Sequence, residues 1–521
     1  MSNVDPGWGP PTGAPLSLAR PPVPLPHRPH RPHRVAYVFA VVMPLVLLAV
    51  LAAPVAVVWA RRSGDGVGPT GVPVAIGTRG ERGLGDPYYP EAGNSGYDVA
   101  KYQISVSWDP ASATLTGTTT ISARASQSLE SFFFDLALPT TRVSVNGQPA
   151  TFERQGFADV EVEPTAEIAA GSEFSVVVDY AGKPGDVDGD AKPWLVTNAE
   201  WSAVGEPESS AWWFPANDHP SDPALMDVSV RVPAGMEAIS VGRLESADSA
   251  QEKDFDTWHW ISRQPMATYL NFVSIGQFEV KQGTQDGLPY VYAVSEQLQP
   301  ANRQKVFAAL MTSTHRVRVM ESMFGPYPFT EIGGVVPAHD LPFGALENQT
   351  RPVYDPRAIL NAGYAPELVN HELAHMWYGN NVTLRQWNDV FNNEAYASWA
   401  QWGYNERTRG RKANDKLNET FEQYANEAGF WQITMIDPGR PHLFDAVYAR
   451  GPMTLQALRN VIGDDAFFRL SRAWAQAPGS RSLEEWMAAA QAVTTVNLDP
   501  FFQAWIYSPT APARTAENGF R

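Results

Sequence analysis

His371 and His375, four residues apart in HELAH, are the residues of this sequence whose types and spacing point most directly to chemistry. Four residues is just over one helical turn, so on a helix both imidazoles project from one face and can grip one metal ion. Glu372 lies about 100° further round the same helix, where it can reach a water on that ion without being a ligand. A catalytic zinc takes three protein ligands and keeps one position open, so a third donor is required. Glu394 follows His375 after 18 residues, in NNEAYASW, and a helix-loop-helix turnaround of that length can return its carboxylate to the ion. With no cysteine in the chain, thiolate ligands and nucleophiles are excluded and any metal rests on nitrogen and oxygen. The expectation is one Zn²⁺ per chain on His371, His375 and Glu394, with Glu372 as the base of a hydrolase. The bland alternative is two helix-face histidines and an exposed helical glutamate.

The elements that must position these residues are legible as a change of texture along the chain. From Tyr97 to about residue 285, short runs of period two, such as YQISVSW, TLTGTTTISA and FSVVVDY, are separated by turns such as Asn146-Gly147. They predict an all-β domain over 97–285. Beyond it QKVFAALMTSTHRVRVMESMFG, PELVNHELAHMWYG, NEAYASWAQWGYNERTRG and SLEEWMAAAQAV place apolar residues three to four apart, which predicts a mainly helical domain over 286–521. Pro366 suits the first turn of the HELAH helix and Gly379 its end. Asp389 and Asn393 are nearby candidates for contacts to the ligands or for helix capping. DVDGDAKP at 186–193 repeats the first ligand positions of a calcium loop, but Ala191 and Thr197 stand where that loop needs Gly and Glu, so it reads as a turn.

The N-terminal region has its own composition. Residues 1–34 are rich in Pro, Arg and His, residues 35–60 carry no charge, and residues 61–96 are rich in Gly, Pro and Arg without periodicity. They are expected to be a cytoplasmic tail, a transmembrane helix and a flexible linker. Arg20, Arg28, Arg31 and Arg34 precede the span and Arg61 and Arg62 follow it, a bias that places the bulk of the chain outside the cytoplasm as a single-pass cell-membrane protein. Secretion after signal cleavage is the alternative. A net charge of -17 argues against a nucleic-acid partner.

HELAH, followed after 18 residues by the Glu394 of NEAYA, together with GALEN at 344–348, resembles the aminopeptidase-N-type gluzincins, the family of alanyl aminopeptidases and leukotriene-A hydrolase. Leu346 replaces the Met of that family's GAMEN segment. The resemblance covers about residues 97–515 and implies a saddle-like β domain followed by a thermolysin-like zinc peptidase domain. It implies that Gly344, Ala345 and Asn348 belong to an extended edge pairing with the substrate backbone, and that Glu347 binds the free α-amino group. GEPESSAWWFP is similar to the family block that contributes a second amine-binding group, here Glu206, and VYARGP matches its Y-x-[KR]-G element, here with Tyr448 as donor to the oxyanion. The expected function is a zinc-dependent aminopeptidase acting on peptides with a free N-terminus. The alternatives are an endopeptidase or epoxide hydrolase on the same centre, or a catalytically inactive membrane-tethered binding protein. The chain ends soon after Tyr448, so the further helical domain of larger relatives is expected to be missing and the site to be more open.

Overall fold

The computed structural model describes residues 79–521, apart from 190, 198 and 249–252. The predicted tail (1–34), span (35–60) and first half of the linker (61–78) lie outside the described residues. Among the described residues no helix is long and apolar enough to cross a membrane.

The period-two runs form an eight-stranded sheet because each can bury alternate side chains on one face. Tyr97–Asp109 lies at its centre, antiparallel to Thr114–Ala125 and parallel to Leu225–Pro233, and buried and exposed positions alternate along all three strands. A four-stranded sheet built on Trp194–Thr197, Glu200–Ala203, Glu237–Ile239 and Val273–Gly276 meets it through aromatic packing. Trp108 of the large sheet lies 5.1 Å from Trp194 and 5.3 Å from Trp201 between ring centroids. A β-rich N-terminal part is thus followed by a helical C-terminal part, the order the texture predicts.

Two expectations change. Phe278–Gln285, assigned by texture to the end of the β domain, pairs with Leu288–Ser295 in a five-stranded sheet that continues through Ile332–Val336 and Val353–Tyr354 to Ala345–Leu346. Its alternation is that of any half-buried strand, so nothing local says which sheet it joins. The second is the linker. Residues 79–96, expected to be flexible, are packed against the rest of the chain: Arg79 bridges Ser131, Asn94 Nδ2 donates to Asp135 Oδ1 at 3.0 Å, and Asp86, Tyr88 and Asn94 are buried. Their backbone is satisfied by side chains rather than by a regular ladder. Tyr88 and Tyr89, for example, donate their N–H groups to the Asp86 carboxylate at 2.8 and 2.9 Å.

In the helical part the four predicted helical stretches all form, the first as two helices, Pro300–Leu310 and Ser313–Phe324. HELAH lies on Ala365–Ala374, with Pro366 in its first turn, and NEAYA on Phe391–Arg409. The first of these ends earlier than predicted, with His375 at its cap, and four more residues lead to Gly379. Gly379 has φ +116°, and an added Cβ would meet Asn393 Nδ2 at 3.1 Å and His375 Nδ1 at 3.3 Å. A side chain there is excluded both by the backbone and by the metal helix itself.

Candidate metal centre and active site

The turnaround between the two helices brings Glu394 back to the histidines. Val382–Leu384 crosses parallel to Gly479–Arg481, and the Tyr378 ring stacks on Tyr396 at 4.0 Å with the planes 1° apart. Glu394 Oε2 then lies 3.0 Å from His371 Nε2 and 3.5 Å from His375 Nε2, all three side chains buried. The donor atoms of His371, His375 and Glu394 fall within 4.8 Å of one another. Ligands about 2.0–2.2 Å from a tetrahedral zinc stand roughly 3.3–3.5 Å apart, so this set fits the ion. His375 Nδ1 donates to the Tyr378 carbonyl at 3.0 Å, which aims Nε2 at the site, where a bound metal would displace its proton.

Glu372, Glu347 and His375 form a second group whose ligand atoms lie within 4.8 Å of each other. GALEN reaches this point as the end of the five-stranded sheet: among the described residues Ala345–Leu346 pairs with Val353–Tyr354 on one side only, which leaves an edge for an added strand. Gly344, with φ +83°, turns the chain into it. Asn348 anchors the segment by donating Nδ2 to the Leu270 carbonyl at 3.1 Å, and Asn380 Nδ2 donates to the Glu347 carbonyl at 2.8 Å. Glu206 comes from the β part and stands near Glu347, partly exposed but with Oε1 sealed from solvent and without a donor among the described residues on that oxygen.

Four carboxylates therefore converge on two imidazoles. Burial, followed by the charges of Glu347 and Glu394, holds Glu206 well above the usual carboxylate range. Burial, with Glu394 opposing His375, raises Glu347, and burial with Glu347 and Glu394 also raises Glu372. For His375 burial is outweighed by Glu347 and Glu394, which push it up to about 10, while the two histidines outweigh burial at Glu394 and lower it to about 2. Such a cluster is a sink for positive charge, a divalent ion on one side and an ammonium on the other.

Tyr448 lies on Val447–Ile462, with its ring centroid 5.8 Å from that of His371. The helix approaches closely because Gly451 has no side chain: a Cβ there would meet the Ala395 Cβ at 2.8 Å, one residue beyond Glu394. Arg450 ties the same turn down, donating to the carbonyls of Trp431, Ile433, Trp505 and Ser508. Burial, reinforced by Glu394, raises the Tyr448 phenol well above its ordinary value, so it stays protonated as a donor. A cavity of about 470 Å³ has Tyr448 in its wall, with Tyr364, Gln401 and Asn405.

The structure thus brings His371, His375, Glu394, Glu372 and Glu347 together, with Glu206 and Tyr448 beside them, but not Asp389. That carboxylate caps instead, accepting from Leu483 N at 2.7 Å and Gln386 N at 3.0 Å. Tyr269 was not foreseen. It donates its hydroxyl to Glu347 Oε1 at 3.0 Å and receives Asn393 Nδ2 at 3.4 Å. It sits in the apolar run MATYLNF, where one tyrosine gives no signal of its own.

The fold and the site define a zinc metallopeptidase domain. Residues 308–505 match the Peptidase family M1 domain, the stretch that carries His371, Glu372, His375, Glu394, Glu347 and Tyr448. The chain is similar to a leucyl aminopeptidase of Saccharolobus solfataricus, 25% identical over 343 residues that cover 59% of this chain and 41% of that protein. It is also similar to an aminopeptidase N of Lactococcus lactis, 25% identical over 338 residues, 58% of this chain and 38% of the relative. It spans a little over a quarter to about two-fifths of the length of the curated relatives it matches. Among solved structures, an M1 zinc metallopeptidase variant from Deinococcus radiodurans bound to a Tyr-Ser-Ala substrate superposes with a TM-score of 0.73 at 24% identity, covering 83% of this chain and 99% of that one. That likeness is one of fold.

Proposed function

We propose that this chain is a zinc-dependent aminopeptidase that removes N-terminal residues from peptides. The carrying observation is the buried Glu347 carboxylate, with a ligand atom within 4.8 Å of those of Glu372 and His375. A fixed carboxylate this close to the metal side chains pairs the substrate ammonium and leaves room for one residue before the scissile bond. Aminopeptidase names among the curated relatives support the same reading.

Zinc, when bound to His371, His375 and Glu394, supplies a Lewis acid and lowers the pKa of a bound water. Glu372 takes the proton of the attacking water and returns it to the leaving nitrogen. Tyr448 donates to the oxyanion as charge develops on the carbonyl oxygen. Ala345–Leu346 offers its open edge to the substrate backbone, and Glu347 with Glu206 holds the ammonium throughout.

A panel of aminoacyl fluorogenic amides, each free and N-acetylated and each with and without chelator, tests this. Hydrolysis of the free amides alone, lost on chelation, is expected, and Glu347→Ala should cost roughly 10²-fold or more in kcat/KM. Equal cleavage of the N-acetylated compounds points to an endopeptidase and defeats the proposal.

We also propose that residues 35–60 anchor the enzyme in the cell membrane with its catalytic part outside, supported by 26 uncharged residues and the arginines before them. Purified protein should retain its N-terminus; a chain starting near Arg62 overturns the anchor.

A further inference from the structure

We propose that residues 79–96 belong to the amine-recognition apparatus, and that Asp86 is a positioning residue that sets Glu347 through Trp387 and Tyr269. The inference rests on the aminopeptidase reading, in which Glu347 binds the substrate ammonium.

Asp86 is 2% exposed, and four groups converge on its carboxylate. Tyr88 N and Tyr89 N donate to Oδ1, while Trp387 N at 2.7 Å and His219 Nε2 at 3.2 Å meet Oδ2. His219 Nδ1 accepts from Ser221 N at 3.2 Å, so the ring proton is on Nε2, facing Asp86. Burial raises a carboxyl of this kind, but here the bonds from His219, Trp387, Tyr89 and Tyr88 outweigh it and the group is held below its ordinary value, ionised. One side chain therefore joins three separate pieces of chain: its own segment, the β part at His219 and the helical part at Trp387.

Trp387 opens the turn Trp387–Asp389 that leads directly into the helix bearing Glu394. The far end of that turn is held by Asp389, so Asp86 and Asp389 fix it from both sides. The Trp387 ring is fully buried, 6.0 Å from the Tyr89 ring and 5.4 Å from the Tyr269 ring at 58°. Tyr269 in turn donates to Glu347 Oε1 at 3.0 Å. A buried carboxylate that must receive an ammonium needs its second oxygen aimed, and Tyr269 aims it by holding the first. Shifting Trp387 removes the wall against which Tyr269 stands. A packed indole does not move alone, because close-packed interiors transmit displacement.

A merely structural role for Asp86 would lower the amount of active protein or weaken all ligands alike. A positioning role shows in one quantity, the advantage that an α-amino group confers. Leucine hydroxamate and 4-methylpentanohydroxamate share the metal-binding group and the side chain and differ only in that amine. Inhibition constants for both would be measured on the full chain, as wild type and as Asp86→Ala, Asp86→Asn, Tyr269→Phe and Asp86→Ala/Tyr269→Phe, with zinc content and thermal midpoint determined for each. The expected result is a clear preference for the amino compound in wild type, cut roughly tenfold in Asp86→Ala and Tyr269→Phe, with 4-methylpentanohydroxamate and zinc content unchanged. Asp86→Asn, which keeps an acceptor, should fall between, and the double variant should lose little beyond either single one. If Asp86→Ala does not fold, Asp86→Asn and Tyr269→Phe carry the test. A wild-type preference that persists in these variants, or equal weakening of both compounds, overturns the inference alone. No preference in wild type overturns the aminopeptidase reading and this inference with it.

Discussion

Glu372→Gln is expected to abolish turnover of aminoacyl amides, by roughly 10³-fold or more, while about one zinc per chain is retained. The substitution keeps volume and polarity in a side chain that is 4% exposed, so packing changes little. What it removes is the ability to accept a proton from water and pass it to the leaving nitrogen. Metal retention is expected for a second reason. Glu372 is one of four carboxylates in the cluster and contributes like charge to Glu347 and Glu206, so neutralising it relieves repulsion instead of creating an orphan. Steady-state kinetics with a leucyl fluorogenic amide and elemental analysis of the same preparation check both halves. Retained hydrolysis would remove Glu372 as base, and lost zinc would make it a ligand.

His375→Ala should fail in the other order, losing the metal first and the activity with it. The imidazole is 1% exposed, bonded to the Tyr378 carbonyl at 3.0 Å and set between Glu394 and the Glu347–Glu372 group. Without it only His371 and Glu394 remain as ligands, one fewer than a catalytic zinc needs. Glu394 is held low chiefly by His375, so its removal also strands negative charge in a buried site, a loss on the order of 3–5 kcal/mol for a broken buried pair. Zinc near zero per chain, no detectable turnover and a lowered thermal midpoint are expected together. A full complement of zinc in His375→Ala would refute the ligand assignment.

Much of this site was legible because its pieces are local. HELAH works through helical periodicity, and the 18 residues to Glu394 are short enough to be a single turnaround. Glu347, Glu206 and Tyr448 were found by resemblance, since a lone glutamate or tyrosine has no periodicity to betray it. The same limit explains Tyr269, whose neighbours are apolar, and Asp389, where capping and ligand support call for the same residue type.

The segment after residue 78 marks the boundary most sharply. Its Gly, Pro and Arg content reads as a tether, because composition reports what a stretch can do alone. Asp86 gains its partners from residues 133 and 301 positions away, separations over which no pattern in a linear sequence carries. Periods of two and of 3.6 make most of the elements readable from the chain alone, and ligand chemistry makes His371, His375 and Glu394 its candidate metal donors. The tertiary structure settles which sheet Phe278–Gln285 joins, how close Gly451 lets the helix of Tyr448 come to Ala395, and that Asp86 ties its own segment to His219 and Trp387. Those depend on packing between distant parts of the chain, where the free energy of a contact belongs to the pair and to neither residue alone.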